Sequence, residues 1–471
     1  MQDGWLAVLP EVQKGPVSMQ KVKSSNTLRP DALMLGCLVT VGVLHAVTMI
    51  YGAKMTTGFQ QFMVMLMNMT AALFLGVVLT RPRSRTPNQT AETLVLLGLG
   101  FCLWTAVLQI YDLRYFSLTT PFEPRYGRVV FFCEYLMLLP MAALLDEKGK
   151  DRGLQAFFWC FFAAIAVYMM FSILLAVDRV PNAVEPLARW FGTRLGLMWH
   201  PNVLSGLMLA GMGVILTLAW YTKRIWLRTV LVLTAGLEYL LMALTNTRTA
   251  TIMGAFIFAG IVFFHIYRNG SWKRFLVGLL AAAVIIVLLF SMTSMIYSHH
   301  LANFPAEGEE LEEALRMSGQ SSLRQDLVGF TSRDGIWKGA FEAIGDHPQM
   351  LIVGSRDIGG AISPYNPFRV AHAHNSWLQT LMGTGIVGFG FILALTWLAV
   401  KNILRIWFVK ESAMYQKIVG LLATAIMGAQ FMEVYIFYTE YPRIGVQAVF
   451  MLCVGYLVYW GRILPDRKKK S

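Results

Sequence analysis

His374 is the residue in this sequence whose type and position best fit a catalytic role. It ends a long polar stretch and directly precedes an apolar run long enough to cross a membrane. A free histidine side chain titrates near pH 6.5, so it can remove a proton from a hydroxyl group near neutral pH. We therefore predict that His374 is a general base. The alternative is a histidine that caps a helix or contacts lipid headgroups.

Four arginines lie in segments predicted to share one side of the membrane with His374. Arg248 occupies a very tight turn between two apolar helices, Arg333 begins an amphipathic segment, and Arg189 and Arg194 share a connector of medium length. Guanidinium groups bind phosphate oxygens through paired hydrogen bonds. Because few fixed acidic partners are expected nearby, the set favours a multiply charged anion such as a diphosphate. For Arg248 the alternative is an interfacial anchor, and for Arg333 it is an ordinary surface arginine.

The remaining polar candidates are two carboxylates and a second histidine. Glu433 is predicted about one turn inside an apolar span, Glu134 is placed similarly in another, and we expect each to pair with an arginine. His372 and His374 form a His-x-His pair, but the sequence offers no convincing third ligand, so we expect no metal and no other cofactor. A P-loop, an Asp-x-Asp pair and a serine nucleophile elbow are all missing from the sequence, which disfavours an enzyme that uses ATP or nucleotide sugars.

The elements that must position these residues are membrane helices. Hydrophobic residues make up 56% of the 471 residues, charged residues only 14%, and the mean hydropathy is +0.54. A soluble protein carries roughly a quarter charged residues, so we predict an all-α polytopic membrane protein. The net charge of +13 reflects basic loops on one side of the membrane and does not indicate a nucleic-acid partner. The five cysteines lie in apolar runs without pairing or metal spacing, which favours small buried side chains.

About twelve spans are predicted from apolar runs of about 20 residues. Their ranges are 32–50, 59–80, 94–112, 128–145, 154–177, 203–221, 229–246, 249–266, 275–295, 375–400, 418–438 and 446–462. Alternate connectors and both terminal tails hold 25 of the 40 Lys and Arg residues, whereas the short connectors on the other side hold nine. Because basic loops stay in the cytoplasm, we predict cytoplasmic termini, direct membrane insertion of the first apolar run without a cleaved signal, and outward-facing arginines and His374.

Three regions follow from this topology. Residues 1–295 form an N-terminal membrane region of about nine spans, residues 296–373 a long outward loop, and residues 374–471 a C-terminal membrane region of about three spans. A connector of nearly 80 residues indicates a functional subdomain. Its acidic run between Pro305 and Arg316 is typical of a solvated helix face, and helical spacing predicts an amphipathic helix from Ser332 to about Asp346.

The motifs together resemble the bacterial O-antigen ligases, which share a superfamily with O-antigen polymerases and some protein O-oligosaccharyltransferases. His374-Asn375, followed after nine residues by Gly385-Ile386-Val387-Gly388, matches the ligase motif in full. Arg248 and Ile252 match an Arg-x-x-x-Leu motif, with Ile in place of Leu. Arg333 with Trp337 four residues later, and the element His200-Pro201-Asn202, complete the resemblance, which covers about residues 190–440.

The resemblance implies a GT-C-like, metal-independent, inverting glycosyltransferase in the bacterial inner membrane. Such an enzyme takes O-antigen from undecaprenyl diphosphate and joins it to a sugar hydroxyl of lipid A–core in the periplasm, with membrane lipids around it. Catalytic roles are then expected for His374, Arg248 and Arg333. Substrate-binding roles are expected for a wider set: Arg194, Arg189, His372, Asn375, Trp337, His200, Asn202 and Glu433.

Three alternatives remain open. An O-antigen polymerase uses the same donor with a second lipid-linked repeat as the acceptor. A protein O-oligosaccharyltransferase is disfavoured because many carry an extra soluble C-terminal region. A lipid-linked-oligosaccharide flippase or other transporter also has about twelve spans, but transporters often place charged or broken helices at mid-membrane, whereas these polar residues gather at one face.

Overall fold

The computed structural model describes fourteen separate ranges of the chain. They are 30–51, 57–80, 89–112, 138–139, 141, 147–177, 190–191, 193–197, 200–267, 271–303, 333–355, 357–366, 372–435 and 444–468. Several predicted features lie outside these residues: the acidic run after Pro305, Ser332 at the predicted start of the amphipathic helix, Arg189, Glu134 and most of the predicted span 128–145.

Long helices dominate the first part of the chain. They are α1 (Pro30–Tyr51), α2 (Thr57–Thr80), α3 (Gln89–Asp112), α4 (Glu147–Ala176), α5 (Pro201–Tyr221), α6 (Ile225–Ala243), α7 (Arg248–Tyr267) and α8 (Trp272–Ala302). Between α4 and α5 an antiparallel hairpin pairs β1 (Trp190–Phe191) with β2 (Arg194–Leu195).

Shorter elements follow, and three more long helices complete the fold. The short elements are α9 (Arg333–Asp346), α10 (Met350–Val353), α11 (Ile358–Ile362) and a 3-10 turn (Ser363–Tyr365). The long helices are α12 (Ser376–Phe408), α13 (Met414–Ala429) and α14 (Ile444–Lys468).

Eight of the described helices are long and apolar enough to cross a membrane, namely α1, α4, α5, α6, α7, α8, α12 and α14. The chain is therefore an all-α, multi-pass membrane protein, while the number of twelve spans stays a prediction. One predicted boundary is wrong: the span 418–438 ends as helix α13 at Ala429, so Glu433 lies in the turn that follows and not inside a helix.

Helix α5 is the centre of the bundle, with 94% of its apolar span buried. It packs against α4, α6, α7 and α13. Glycines on α5 make this possible: a Cβ at Gly206 would overlap the ring of Tyr435, and one at Gly213 would overlap Leu422. Small residues let helices approach closely where lipid supplies no hydrophobic drive for packing. This approach fixes the segment around Tyr435 against the start of α5.

The elements between α8 and α12 have an apolar core of their own. Ile336, Met350 and Ile362 are buried together with Leu378 and Met382 from the first turns of α12. The start of α12 therefore belongs to the same packing unit as α9, α10 and α11, which places the residues before α12 at a fixed position relative to α9.

Helix α12 is interrupted at Gly385, which has φ 67° and ψ −175° inside the helix. Glycine adopts positive φ at little cost because it lacks a Cβ. A Cβ at Gly385 would also overlap the Ile352 carbonyl of α10. The break at Gly385 therefore allows the short helix α10 to pack directly against the backbone of α12.

Candidate functional site

The carboxylate of Glu433 is the point at which the predicted site residues meet. Its side chain is completely buried. Oε1 accepts hydrogen bonds from Asn202 Nδ2 at 2.6 Å and from Arg333 Nη2 at 2.5 Å. Both of its oxygens lie 3.4 Å from His374 Nδ1. One acidic group thus joins the start of α5, the start of α9 and the residue before α12, as expected for a glutamate that pairs with an arginine.

His374 is held by the way in which α12 begins. Asn375 is the N-cap of α12, and its Oδ1 accepts hydrogen bonds from the backbone N–H groups of Trp377 (2.9 Å) and Leu378 (3.0 Å). His374 itself has φ 48°, a left-handed conformation that is uncommon outside glycine. Its side chain is 24% exposed.

The Glu433 contact leaves one nitrogen of His374 available. A neutral imidazole carries its proton on one nitrogen and accepts on the other. With Nδ1 directed at a carboxylate, the proton belongs on Nδ1, and Nε2 is the accepting atom. Within the part of the chain that the structure describes, Nε2 has no hydrogen-bond partner. A partly exposed accepting nitrogen of this kind is what a general base requires.

Arg333 is the first residue of α9, and its guanidinium is 20% exposed. The expectation of few fixed acidic partners is wrong for this arginine, because Glu433 forms an ion pair with it. One turn later, Trp337 Nε1 donates to the Ala373 carbonyl at 3.1 Å. This bond joins α9 to the residue that precedes His374, so Arg333 and His374 are held on connected segments.

Arg194 lies on strand β2 and is bound by three groups. Its Nη2 donates to Asn202 Oδ1 at 2.6 Å and to Thr247 Oγ1 at 3.2 Å, and its Nε donates to the Thr245 carbonyl at 2.8 Å. Burial lowers the pKa of the Arg194 guanidinium, and the charge of nearby Glu433 partly offsets that effect. An arginine stays protonated in either case. Arg194 therefore places a buried positive charge next to the amide that binds Glu433.

Arg248 differs from Arg194 and Arg333 in its contacts. It is the first residue of α7 and follows the tight turn in which Asn246 has φ 48°. Its neighbour Thr247 belongs to the Arg194–Asn202 network. The half-buried guanidinium of Arg248 has no hydrogen bond or ion pair with any residue that the structure describes. It is therefore the cation most available to a ligand.

The other predicted residues surround this network. His372 is buried, and its ring centroid lies 4.1 Å from that of His374. His200 is exposed and caps α5 by accepting from the Asn202 backbone at 3.3 Å. Arg189 lies outside the described residues. In the described ranges, no group of three or more His, Cys, Asp or Glu side chains is placed to hold a metal ion.

Sequence reasoning missed two residues that support the site. The Tyr435 hydroxyl donates to the Asn202 carbonyl at 2.9 Å, and Ser376 Oγ donates to the Glu433 carbonyl at 3.1 Å. A hydroxyl next to each predicted residue was the available signal, since Tyr435 follows Glu433 by two positions and Ser376 follows His374 by two. These bonds hold the turn after α13 against α5 and α12.

The described site combines three arginines with one buried carboxylate, so it carries excess positive charge. Preorganised cations stabilise negative charge that develops on a leaving group. An imidazole with a free accepting nitrogen stands beside them. The arrangement can therefore hold an anion and remove a proton from a nucleophile at the same place.

Comparison with known families gives one match. Residues 230–393 match the family model described as O-Antigen ligase. Among curated proteins, none matches the chain. The matched segment contains Arg248, Arg333 and His374, whereas Asn202 and Glu433, which bind them or their neighbours, lie outside it.

Proposed function

We propose that this chain, whose residues 230–393 match the family model described as O-Antigen ligase, belongs to that family and completes lipopolysaccharide. It transfers O-antigen from undecaprenyl diphosphate to a sugar hydroxyl of lipid A–core. The observation that carries the proposal is the convergence of Arg333 and His374 on Glu433. Arg248, which pairs with no residue in the described ranges, lies at the neighbouring turn. The same proposal places the fold with the GT-C glycosyltransferases.

The donor's diphosphate is assigned to the arginines. Arg248 offers a complete guanidinium fork, because no described residue occupies it. Arg333 has five N–H donors, and its hydrogen bond to Glu433 uses only Nη2. Arg194 is committed to Asn202, Thr245 and Thr247, so it contributes its charge rather than its hydrogen bonds. Diphosphate is a good leaving group once its charge is held, and no proton donor is needed for its departure.

The acceptor hydroxyl is assigned to His374. The hydroxyl oxygen attacks the anomeric carbon of the donor as its proton moves to Nε2. The bond from that carbon to the diphosphate oxygen breaks on the opposite face, with inversion at the anomeric carbon. The electron pair of that bond stays on undecaprenyl diphosphate, held by Arg248 and Arg333. General base catalysis of this kind contributes about 10²- to 10⁴-fold.

Glu433 has two supporting tasks in this reaction. Its carboxylate accepts the Nδ1 proton of His374, which directs Nε2 toward the open side of the site and stabilises the imidazolium that forms. It also holds Arg333 at the start of α9. Because Glu433 is fully buried, we assign it a positioning role and not the direct substrate contact expected from the sequence.

The membrane orientation follows from the distribution of basic residues. The 25 Lys and Arg residues of the alternate connectors and tails favour a cytoplasmic position for both termini. The site then faces the periplasm, across the bacterial inner membrane. This is the side on which a finished, lipid-carried polysaccharide meets lipid A–core.

Purified protein in lipid nanodiscs tests the proposal. The donor is undecaprenyl-diphosphate-linked O-antigen, offered with either lipid A–core or a second lipid-linked repeat as the acceptor. We expect transfer to lipid A–core, and full activity with a chelator present. Transfer only to the lipid-linked repeat would identify a polymerase, the nearest alternative in the same superfamily. Movement of donor across the bilayer of sealed vesicles that contain the protein, without any transfer, would identify a transporter.

A further inference from the structure

A small apolar patch lies beside the break in α12. It consists of Leu351 and Ile352 on α10 and Ile386 and Val387 just after Gly385, all of them exposed. Ile352 and Ile386 are each 61% exposed. Met350, at the start of the same short helix, is buried in the core shared by α9 and α11. Helix α10 thus presents one face to the protein and an apolar face outward.

The patch continues into an apolar stripe along α12. Ile386 is followed by exposed Leu393 and Trp397. Spacings of seven and four residues place these side chains on one face of a helix. The stripe ends at the exposed Lys401, four residues after Trp397 on the same face. In a membrane-spanning helix an exposed face of this kind contacts lipid. The apolar face of α10 therefore adjoins the lipid-facing surface of α12 at the end of the stripe nearest to Gly385.

The length of α12 fixes the level of that junction. The exposed Lys401 lies 16 residues after Gly385, and Arg405, in the last turn of α12, lies 20 residues after it. At 1.5 Å per residue these separations are about 24 and 30 Å, no more than the thickness of the hydrocarbon core. With these basic residues at one membrane boundary, Gly385 lies at or just inside the other, on the side of the candidate site.

Close backbone contacts keep α10 at this level. Just after α10, the Ser355 N–H donates to the Met382 carbonyl at 2.5 Å. On the neighbouring helix α3, Trp104 Nε1 donates to the Thr384 carbonyl at 2.7 Å. The break in α12 leaves both carbonyls without a helical partner, and a buried carbonyl without a partner is costly. Gly354 has φ 70°, and a Cβ there would meet the Gly383 backbone. Such tight backbone packing prevents α10 from sliding along α12.

We propose that Leu351 and Ile352 insert into the acyl chains of the membrane leaflet on the site side. Lipid is the occupant because the patch is continuous with the stripe on α12 and lies at the hydrocarbon boundary. Helix α10 follows α9 by only three residues, so this contact sets the height of Arg333 above the membrane. For a donor whose diphosphate is attached to a membrane-embedded lipid tail, this height places Arg333 near the level of the diphosphate, a consequence that rests on the proposed function.

A spin label at Ile352 tests the insertion. In a variant whose five native cysteines are replaced by alanine, Ile352→Cys is labelled with a nitroxide and the protein is placed in phosphatidylethanolamine–phosphatidylglycerol vesicles. Collisions with oxygen, which concentrates in lipid, are compared with collisions with a water-soluble nickel chelate. Leu393→Cys serves as the lipid reference. Lys338→Cys on α9 serves as the water reference, since its side chain is 76% exposed.

We expect the Ile352 label to match the Leu393 label, with oxygen collisions exceeding nickel collisions several-fold. A label that behaves like the one at Lys338 would overturn the proposal. Low access to both reagents would overturn it too, because it would show a protein surface and not lipid over the patch. The measurement needs no donor and no turnover, so a failure here and a failure of the proposed function are separate results.

Discussion

Glu433 and Glu238 are both completely buried, yet their surroundings are opposite. Glu433 lies in the turn after α13 and is bound by Asn202, Arg333 and His374. Glu238 lies in the membrane helix α6, and its carboxyl group packs against Gly211, which Ile165 also contacts. Neither of its carboxyl oxygens has a hydrogen-bond partner in the part of the chain that the structure describes.

The difference shows what burial of an acidic group does and does not indicate. Burying a charge is costly unless the charge is paired, whereas a neutral carboxyl group costs much less. Glu433 has the cation and the hydrogen-bond donors that allow a buried carboxylate. Glu238 has apolar neighbours that favour a neutral group. Convergence of polar groups from distant segments, rather than depth, therefore separates a working site from an isolated polar residue.

The largest effect is expected at the base that Glu433 positions. His374→Ala removes the only group assigned to proton transfer and should reduce turnover about 10²- to 10⁴-fold. The measurement is transfer by purified protein at saturating donor. His347→Ala is the matched control, because His347 is an exposed histidine just after α9. Near-normal turnover of His374→Ala would remove the base assignment and make Glu433 a purely structural residue.

Removing a cation should be the next most harmful change. Arg248→Ala removes a preorganised charge at the leaving group and should lower kcat/KM about 10²- to 10³-fold. Arg248→Lys keeps the charge without the guanidinium fork and should lose less. The same order is expected at Arg333, where alanine also leaves Glu433 without its ion pair. If the alanine and lysine variants both match the parent protein, the diphosphate is bound elsewhere.

Glu433→Gln tests the comparison directly. Glutamine keeps the shape but loses the charge that holds Arg333 and the Nδ1 proton of His374. A hydrogen bond to a charged group contributes about 1.5–3 kcal/mol, which corresponds to a loss of about 10- to 150-fold in turnover. Single-turnover kinetics on purified protein measure it. Unchanged turnover would show that Glu433 does not orient the base.

Glu238→Gln makes the same substitution where no partner is lost. We expect transfer within about threefold of the parent protein and a change in stability of about 0.5 kcal/mol or less, the size typical of substitutions away from polar networks. The thermal midpoint in detergent and the transfer rate check both. A large loss of activity would show that Glu238 has a role that its surroundings do not reveal, and the contrast with Glu433 would fail.

Much of the helical framework follows from the sequence, because hydropathy reports which segments lipid or protein must surround. The end of α13 does not follow from it. Most residues between Ala429 and position 438 are apolar, with only Gln430 and Glu433 strongly polar, so hydropathy extends the predicted span to 438. At the end of α13 the Gln430 carbonyl accepts a hydrogen bond from the Ser376 N–H of α12 at 3.0 Å. This contact between distant segments, which hydropathy does not report, accompanies the end of the helix.

The composition of the site is predictable only in part. Arg248 and His374 stand out because charged or titratable residues next to apolar runs have few structural reasons to be there. Arg333 stands out because it begins an amphipathic segment, with Trp337 four residues later. Their common partner does not stand out: Glu433 is 100 residues from Arg333 and 231 from Asn202. Such contacts arise from helix packing. The break in α12 at Gly385 could not be predicted from the sequence either. Gly385 and Gly388 indicate that another element approaches the helix closely, but not which element it is.

The left-handed backbone conformation of His374 limits which residue types can occupy this position. For a residue other than glycine that conformation costs roughly 1–2 kcal/mol, and asparagine and histidine tolerate it better than most. Asparagine could also donate a hydrogen bond to the Glu433 carboxylate, so folding alone would accept it in place of histidine. It cannot, however, take up a proton. If the proposed function holds, an imidazole is therefore kept at this strained position for its reactivity and not for its contribution to stability.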